Sequence, residues 1–123
     1  MKPKFENPTP LPRPQLEIAL ASSEASAVAE ALIRMALWEN DWRWAEQKSL
    51  SALRDARKEV RTAALLAIGH LARLHRSLDL QTVIPAVRKL LADTECRGTA
   101  EDALDDIATF MPEASGYTYD APK

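Results

Sequence analysis

The side chains best suited to chemistry in this 123-residue chain are two histidines and one cysteine. His70 and His75 are five residues apart, so on one helix they point in different directions. A helical metal pair needs a spacing of three or four. Cys96 occupies a position where the surrounding pattern asks for an apolar residue, so we expect a small buried side chain rather than a nucleophile. There is no glycine-rich phosphate loop. We therefore predict no enzyme, no cofactor and no metal site.

Carboxylates are concentrated near the end of the chain. Residues 93–123 carry two Lys/Arg and eight Asp/Glu, a local charge of −6. Glu101, Asp102, Asp105 and Asp106 are neighbours on one helix, where like charges usually form a solvated face. Such a face steers a basic partner and speeds its association. The alternative is a terminal helix that is kept polar for solubility.

Three tryptophans, Trp38, Trp42 and Trp44, cluster at one predicted corner between helices. Trp42 and Trp44 are two residues apart, so a helix cannot turn both to the same side. We expect one of them to pack in the core and the other to be partly exposed as a partner-binding anchor, since tryptophan is enriched at binding hot spots. The alternative is that both are half-buried in the corner.

The middle of the chain is basic. Residues 42–76 carry eight Lys/Arg and three Asp/Glu, a local charge of +5. Together with the tryptophans this stretch suggests a nucleic-acid surface, in which cations hold phosphates and rings stack on bases. The isoelectric point of about 5.7 and the net charge of −2 argue against it.

The elements that must position these residues are helices. Periodic apolar residues predict helices over about 23–38, 42–54, 58–75, 80–92 and 98–110. Ser23 and Asp41 are expected to cap the first two. Five prolines among residues 1–14 predict an extended arm over 1–22, either loose or held to the first helix by Leu11 and Leu16. The domain is expected over 23–110, followed by a loose tail over 111–123.

A faint self-similarity with a period of 36 residues connects these helices. Its three members begin at Ala31-Leu32, Ala67-Ile68 and Ala103-Leu104. Four residues further on stand Met35, Leu71 and Ile107, each followed by alanine. A fixed period of this size is typical of stacked helical pairs, each of which needs its neighbour to bury its apolar stripe.

Residues 42–110 resemble the HEAT-repeat family. Leu50-x-x-Leu53-x-Asp55 with Val60-Arg61 corresponds to Val87-x-x-Leu90-x-x-Asp93 with Cys96-Arg97. The resemblance implies a short right-handed α-solenoid of about five helices. It also implies a polar ladder between units, made by Asp55, Arg61, Asp93 and Arg97. The first unit lacks the Asp and the Val-Arg pair, and we interpret it as truncated.

The resemblance extends to small bacterial HEAT-like proteins and implies a protein-binding module. The function we expect is a cytoplasmic immunity protein that occludes a basic toxin. A general adaptor and a nucleic-acid-binding protein are the alternatives. No stretch resembles a signal peptide or a membrane span, and a lone cysteine excludes an internal disulfide. We expect a monomer or a weak homodimer.

Overall fold

The computed structural model describes residues 9–114 of the chain. Their regular structure is entirely helical, which confirms the predicted all-α class, with six α-helices where the sequence predicts five. The α-helices are α1 (Arg13–Leu20), α2 (Ala25–Trp38), α3 (Trp42–Ala52), α4 (Lys58–His75), α5 (Leu80–Lys89) and α6 (Arg97–Phe110). Short 3₁₀ turns follow α5 at Leu90–Ala92 and α6 at Pro112–Ala114.

The helices pair along the chain, and the second member of each pair forms a row. Helix α1 packs on α2, α3 on α4, and α5 on α6, while the most extensive contacts join α2 to α4 and α4 to α6. Helix α4 is therefore the centre of the domain. This order of contacts is the one that stacked helical hairpins produce. The right-handed solenoid and the HEAT designation both stay predictions.

The three helices of the row run in the same direction. The first halves of α2 and α4 line one groove, so their starts lie side by side. Thr62 near the start of α4 contacts Cys96 just before α6, and Gly69 further along α4 faces Asp106 further along α6. Contacts that advance together along both helices define a parallel pair. The 36-residue period thus places equivalent positions of successive helices next to one another.

Burial along the row follows the period until its last member. Met35, Leu71 and Ile107 are each completely buried, as the pattern predicts. The alanines that follow the first two of these, Ala36 and Ala72, are also fully buried, but Ala108 is exposed. Helices α2 and α4 each have a later neighbour in the row, whereas α6 is the last helix of the row among residues 9–114. The position of Ala36 and Ala72 is therefore exposed in α6, because no later helix among residues 9–114 packs against it.

The prediction of an extended arm over 1–22 is wrong for residues 13–20, which form α1. Pro14 lies in the first turn of that helix, where a backbone N–H would have no intrahelical partner in any case. Leu16 is 2% exposed and Leu11 packs against the core, so this segment is held to the domain by burial. Of the two alternatives for the arm, attachment by these leucines is confirmed for the part that the structure describes. Residues 1–8 of the arm lie outside it.

The prediction of a loose tail from residue 111 is also wrong for its first four residues. Met111 is 3% exposed and Ala114 is completely buried, and the 3₁₀ turn between them folds this segment back onto α6. The rest of the predicted tail, 115–123, lies outside the described residues. The remaining helix bounds agree with the predictions to within two or three residues.

Of the two predicted caps, one forms. The carboxylate of Asp41 accepts a hydrogen bond from the N–H of Trp44 at 3.2 Å, which caps α3. Ser23 does not cap α2; that position is taken by Glu24, whose side chain makes no capping bond. The hydroxyl of Ser22 instead accepts a hydrogen bond from the Glu24 N–H at 3.0 Å. The chain thus turns sharply just before α2, and α2 starts two residues later than predicted.

One rung of the predicted polar ladder joins the second and third hairpins. Arg61 on α4 donates from Nε to a carboxylate oxygen of Asp93 at 3.1 Å, and its Nη2 lies 3.5 Å from Glu95. Its Nη1 donates to the backbone carbonyls of Asp55 and Ala56 at 3.0 and 2.8 Å. A single guanidinium therefore ties the turn before α4 to the turn before α6.

The other two predicted ladder residues make different contacts. The Asp55 carboxylate accepts hydrogen bonds from the Arg57 side chain at 2.9 and 3.0 Å, and these bonds lower the pKa of Asp55 to about 2. Arg97 pairs at 3.3 Å with Glu101, one turn along its own helix. Arg97 starts the last helix of the row among the described residues, so no following unit there supplies an acidic partner.

A second polar contact joins α3 to α5, the first helices of the second and third hairpins. Glu46 on α3 is 7% exposed, and its Oε1 accepts a hydrogen bond from the N–H of Asp79 at 2.7 Å. Asp79 is the N-cap residue of α5, where unpaired N–H groups favour a nearby carboxylate. Burial nevertheless outweighs this contact and raises the pKa of Glu46.

We expect Arg61→Lys to lower the melting temperature clearly more than Arg97→Lys. A lysine keeps the charge of Arg61 but cannot reach three separate acceptors with the fixed geometry of a guanidinium. Arg97 holds an exposed pair on one helix, and such pairs contribute little. Thermal unfolding followed by circular dichroism compares the two variants with the wild type. Equal shifts would contradict the inter-hairpin role of Arg61.

Glu46 should destabilise the fold increasingly as the pH rises. Its pKa is higher in the folded chain than the ordinary value of 4.5, so its favourable contribution is complete below that value and is lost as the pH passes the folded-state pKa. We expect the free energy of unfolding of the wild type to fall relative to that of Glu46→Gln between about pH 4 and about pH 7. Urea unfolding at both pH values measures this difference. A constant difference would contradict the raised pKa.

Candidate protein-binding surface

The acidic residues predicted near the end of the chain lie on α6. Glu101, Asp102 and Asp105 are exposed and Asp106 is half-buried. Glu101 is partly neutralised by Arg97. None of the other three forms a salt bridge with a cation of residues 9–114. We call Asp102, Asp105 and Asp106 the acidic face of α6; its negative charge has no salt-bridge partner among residues 9–114.

The wider acidic patch that the sequence suggested is reduced by the fold. Asp93 and Glu95 both turn toward Arg61, so their charges belong to the contact between hairpins. The N–H of Glu95 also donates to the Asp93 carboxylate, and this bond is the main reason why the pKa of Asp93 is lowered. Of the predicted acidic residues, Asp102, Asp105 and Asp106 of α6 therefore remain without a salt bridge within residues 9–114.

Asp106 differs from its two neighbours because it lies against α4. An added Cβ at Gly69 would come within 2.6 Å of a carboxylate oxygen of Asp106, so the glycine makes room for this side chain. His70, the next residue of α4, is half-buried beside Arg73. Burial, and then the charge of Arg73, lower the pKa of His70, while Asp106 opposes them.

Trp44 holds the first helix in place. It is half-buried against the core, and the guanidinium of Arg13 lies over its ring at 4.3 Å from the centroid. Arg13 is itself fixed by Glu39 at 2.8 Å and by Asp41 at 3.4 Å. This arrangement ties α1 to the turn between α2 and α3. The face of Trp44 that a partner would need is covered by the protein's own arginine.

The tryptophans follow the alternative in which both predicted candidates are half-buried. Trp42 is partly covered, with the Arg43 guanidinium 4.6 Å from its ring centroid. The most exposed of the three is Trp38, at 48%. It lies at the end of α2 and is not one of the two tryptophans predicted to bind a partner. The corner is thus mainly a packing feature of the first two hairpins.

The basic middle of the chain does not form one surface. Arg57 and Arg61 are held by carboxylates, and Arg43 lies on a tryptophan ring. Arg73 contacts a histidine, and Arg76 lies 5.6 Å from the Phe110 ring centroid. These cations are spread over α3, both ends of α4 and the turns that flank it. These five arginines are therefore divided between internal contacts and separate places on the surface, which argues against one continuous track for nucleic acid.

The groups that could do chemistry are separated in the fold. His70 is half-buried on α4, and Cys96 is completely buried against α4, 3.8 Å from the Thr62 hydroxyl. The thiol is therefore the small core side chain that the sequence predicts. Within residues 9–114, no three His, Cys, Asp or Glu side chains are grouped closely enough to hold a metal ion.

A groove between α2 and α4 is the feature that the sequence analysis missed. It has a volume of about 600 Å³ and an apolar floor made by Ala29, Ile33, Ala63 and Leu66, with Lys58 at its rim. Leu66 is 46% exposed. The signal for it was a large leucine in α4 that lies outside the buried stripe of that helix. We call this feature the α2–α4 groove.

Comparison with known proteins adds one strong similarity. The chain matches a chain of the crystal structure of a CDI complex from Cupriavidus taiwanensis LMG 19424, with 30% sequence identity and a TM-score of 0.81. The match covers 91% of this chain and 99% of that one. At this identity and coverage, the protein belongs to the same family as that crystallised chain. No family model matches it, and no curated protein does so significantly.

None of the helices that the structure describes is both long enough and apolar enough to cross a membrane. The apolar side chains of these helices serve mainly the internal core described above.

Proposed function

We propose that this protein is an immunity protein that binds a cognate bacterial toxin and blocks its active surface. The observation that carries the proposal is the family relationship to a chain that crystallised as part of a CDI complex. We interpret CDI as contact-dependent inhibition, a process in which a toxin meets a protein that neutralises it.

Occlusion is the mechanism that this fold supports best. A rigid row of helices offers a broad surface, and binding through such a surface excludes the toxin's substrate without any reaction. The protein acts, in this proposal, in the cytoplasm of the cell that it protects. It carries out no catalysis there.

The acidic face of α6 supports a basic partner. Asp102 and Asp105 are exposed and unpaired within residues 9–114, and Asp106 adds a third charge beside them. Carboxylates of this kind raise the association rate of a positively charged protein and restrict its orientation. A toxin that handles nucleic acid has a basic active surface, because it must bind phosphates. We therefore propose a toxin of this class.

Protection of growing cells tests the function directly. A candidate toxin domain, taken from a toxin gene next to the gene of this chain, is expressed from an inducible promoter in cells with and without this chain. We expect growth to stop without the chain and to continue with it, and the two purified proteins to form a one-to-one complex. Continued growth arrest, with both proteins present at equal levels, would refute the immunity role. An unrelated immunity protein serves as the control.

Charge reversal tests the role of the acidic face. We expect Asp105→Lys to slow association with the toxin domain by about tenfold at low salt and by much less at high salt, since steering is screened by ions. Glu17→Lys is the matched control: Glu17 is exposed on α1, and its reversal changes the net charge equally. Stopped-flow or surface-plasmon measurements give both rates. Equal slowing by the two variants would indicate an effect of net charge alone.

A further inference from the structure

We infer that the α2–α4 groove is the seat of an apolar side chain of the toxin, and that a basic side chain of the same toxin segment lies across α4 on Asp102 and Asp106. This inference deepens the proposed function and rests on it. It replaces the tryptophan corner with the groove as the anchor of the complex.

The groove has the character of an anchor site. Its floor is apolar, and Leu66 leaves almost half of its surface to water, as few large apolar side chains do among residues 9–114. Three other side chains of this kind, Ile18, Leu74 and Trp38, do not line this groove. Binding energy concentrates where an apolar side chain enters a preformed depression that excludes water.

The carboxylates near the α2–α4 groove favour a toxin segment that carries a basic side chain. The Asp106 carboxylate lies over Gly69, three residues along α4 from Leu66, which is about 4.5 Å of helix rise. Asp102 is one turn earlier on the same face of α6, and because α4 and α6 run in parallel it lies level with Leu66. Both carboxylates lack a salt bridge to residues 9–114. A partner that covers Leu66 and carries a lysine or arginine on this side compensates them.

Helix geometry gives the spacing that the partner needs. The groove lies on one side of α4 and α6 on the other, and neighbouring helix axes are about 8–10 Å apart. The apolar and basic side chains of the toxin must therefore be separated by about 10 Å. This is about two turns of a helix, which place both side chains on one face. In an extended segment the residues that share a face are two or four apart, about 7 or 13 Å, so a helical segment fits the spacing better.

A second apolar depression lacks this complement. It lies between α3 and α5, is lined by Leu50, Leu53 and Leu90, and has a volume of about 330 Å³. Arg54 and Lys89 stand among its lining residues, so its surroundings are basic. A basic toxin is repelled from that surface. The α2–α4 groove is larger and lies beside uncompensated acid.

Affinity measurements with two leucine variants test the inference. Leu66→Glu should raise the dissociation constant for the toxin domain that the wild-type chain binds by about 30-fold or more, the scale of a hot-spot residue. Leu74→Glu is the matched control, because Leu74 lies on the same helix with 50% exposure and outside the groove. It should change the constant by less than about threefold. Unfolding curves of both variants confirm that each exposed site tolerates the change.

Photo-crosslinking tests the identity of the occupant. A benzoylphenylalanine in place of Leu66 is irradiated in the complex, and the attached toxin peptide is identified by mass spectrometry. We expect an apolar residue on a helical segment with a lysine or arginine about seven positions away. Attachment to a second copy of this chain, or to a toxin segment without basic residues, would overturn the inference.

The outcomes separate the inference from the function on which it rests. If the wild-type chain binds the toxin domain and Leu66→Glu binds it equally well, the groove assignment is wrong and the immunity role stands. If the wild-type chain does not bind the toxin domain, both the immunity role and the groove assignment fail.

Discussion

The close packing of α4 between α2 and α6 is the constraint on which the rest of the structure depends. Small residues on the central helix, among them Ala64, Ala67 and Gly69, allow two neighbours to approach it at once. Larger side chains at these positions would force the helices apart and open voids in a closely packed core. Because α4 contacts both neighbours, any displacement of it would disturb all three hairpins.

Polar contacts fix how far each helix is shifted along its neighbour, which apolar packing alone does not fix. An apolar stripe allows a helix to slide along its neighbour at small cost, whereas a hydrogen-bonded guanidinium does not. Arg61 fixes α4 relative to α6 through its hydrogen bond to Asp93. Glu46 fixes α3 relative to α5 through its hydrogen bond from Asp79. At the other end of the domain, Arg13 on Trp44 holds α1. Each hairpin is thus located by at least one directional contact.

The same architecture explains where a partner would bind. Side chains between neighbouring helices of the row are buried in packing, and the proposed partner surface lies on the outer side of α2, α4 and α6. That side presents an apolar groove next to carboxylates that lack salt bridges within residues 9–114. Family membership with a chain from a CDI complex gives this surface its proposed purpose. In the proposed interface, the groove contributes binding affinity and the acidic face of α6 orients the partner.

The sequence by itself determined the helices from α2 onward and the positions that are buried in them. These depend on periodicity within a few turns, and residues 35, 71 and 107 are buried as their spacing requires. It failed for α1, because five nearby prolines dominate the local signal and the burial of Leu16 depends on distant residues. Only the tertiary structure decided that Arg61 reaches Asp93, that Arg13 covers Trp44 and that Leu66 borders an open groove. Each of these depends on residues far apart in the chain, and local pattern carries no information about which distant side chains meet.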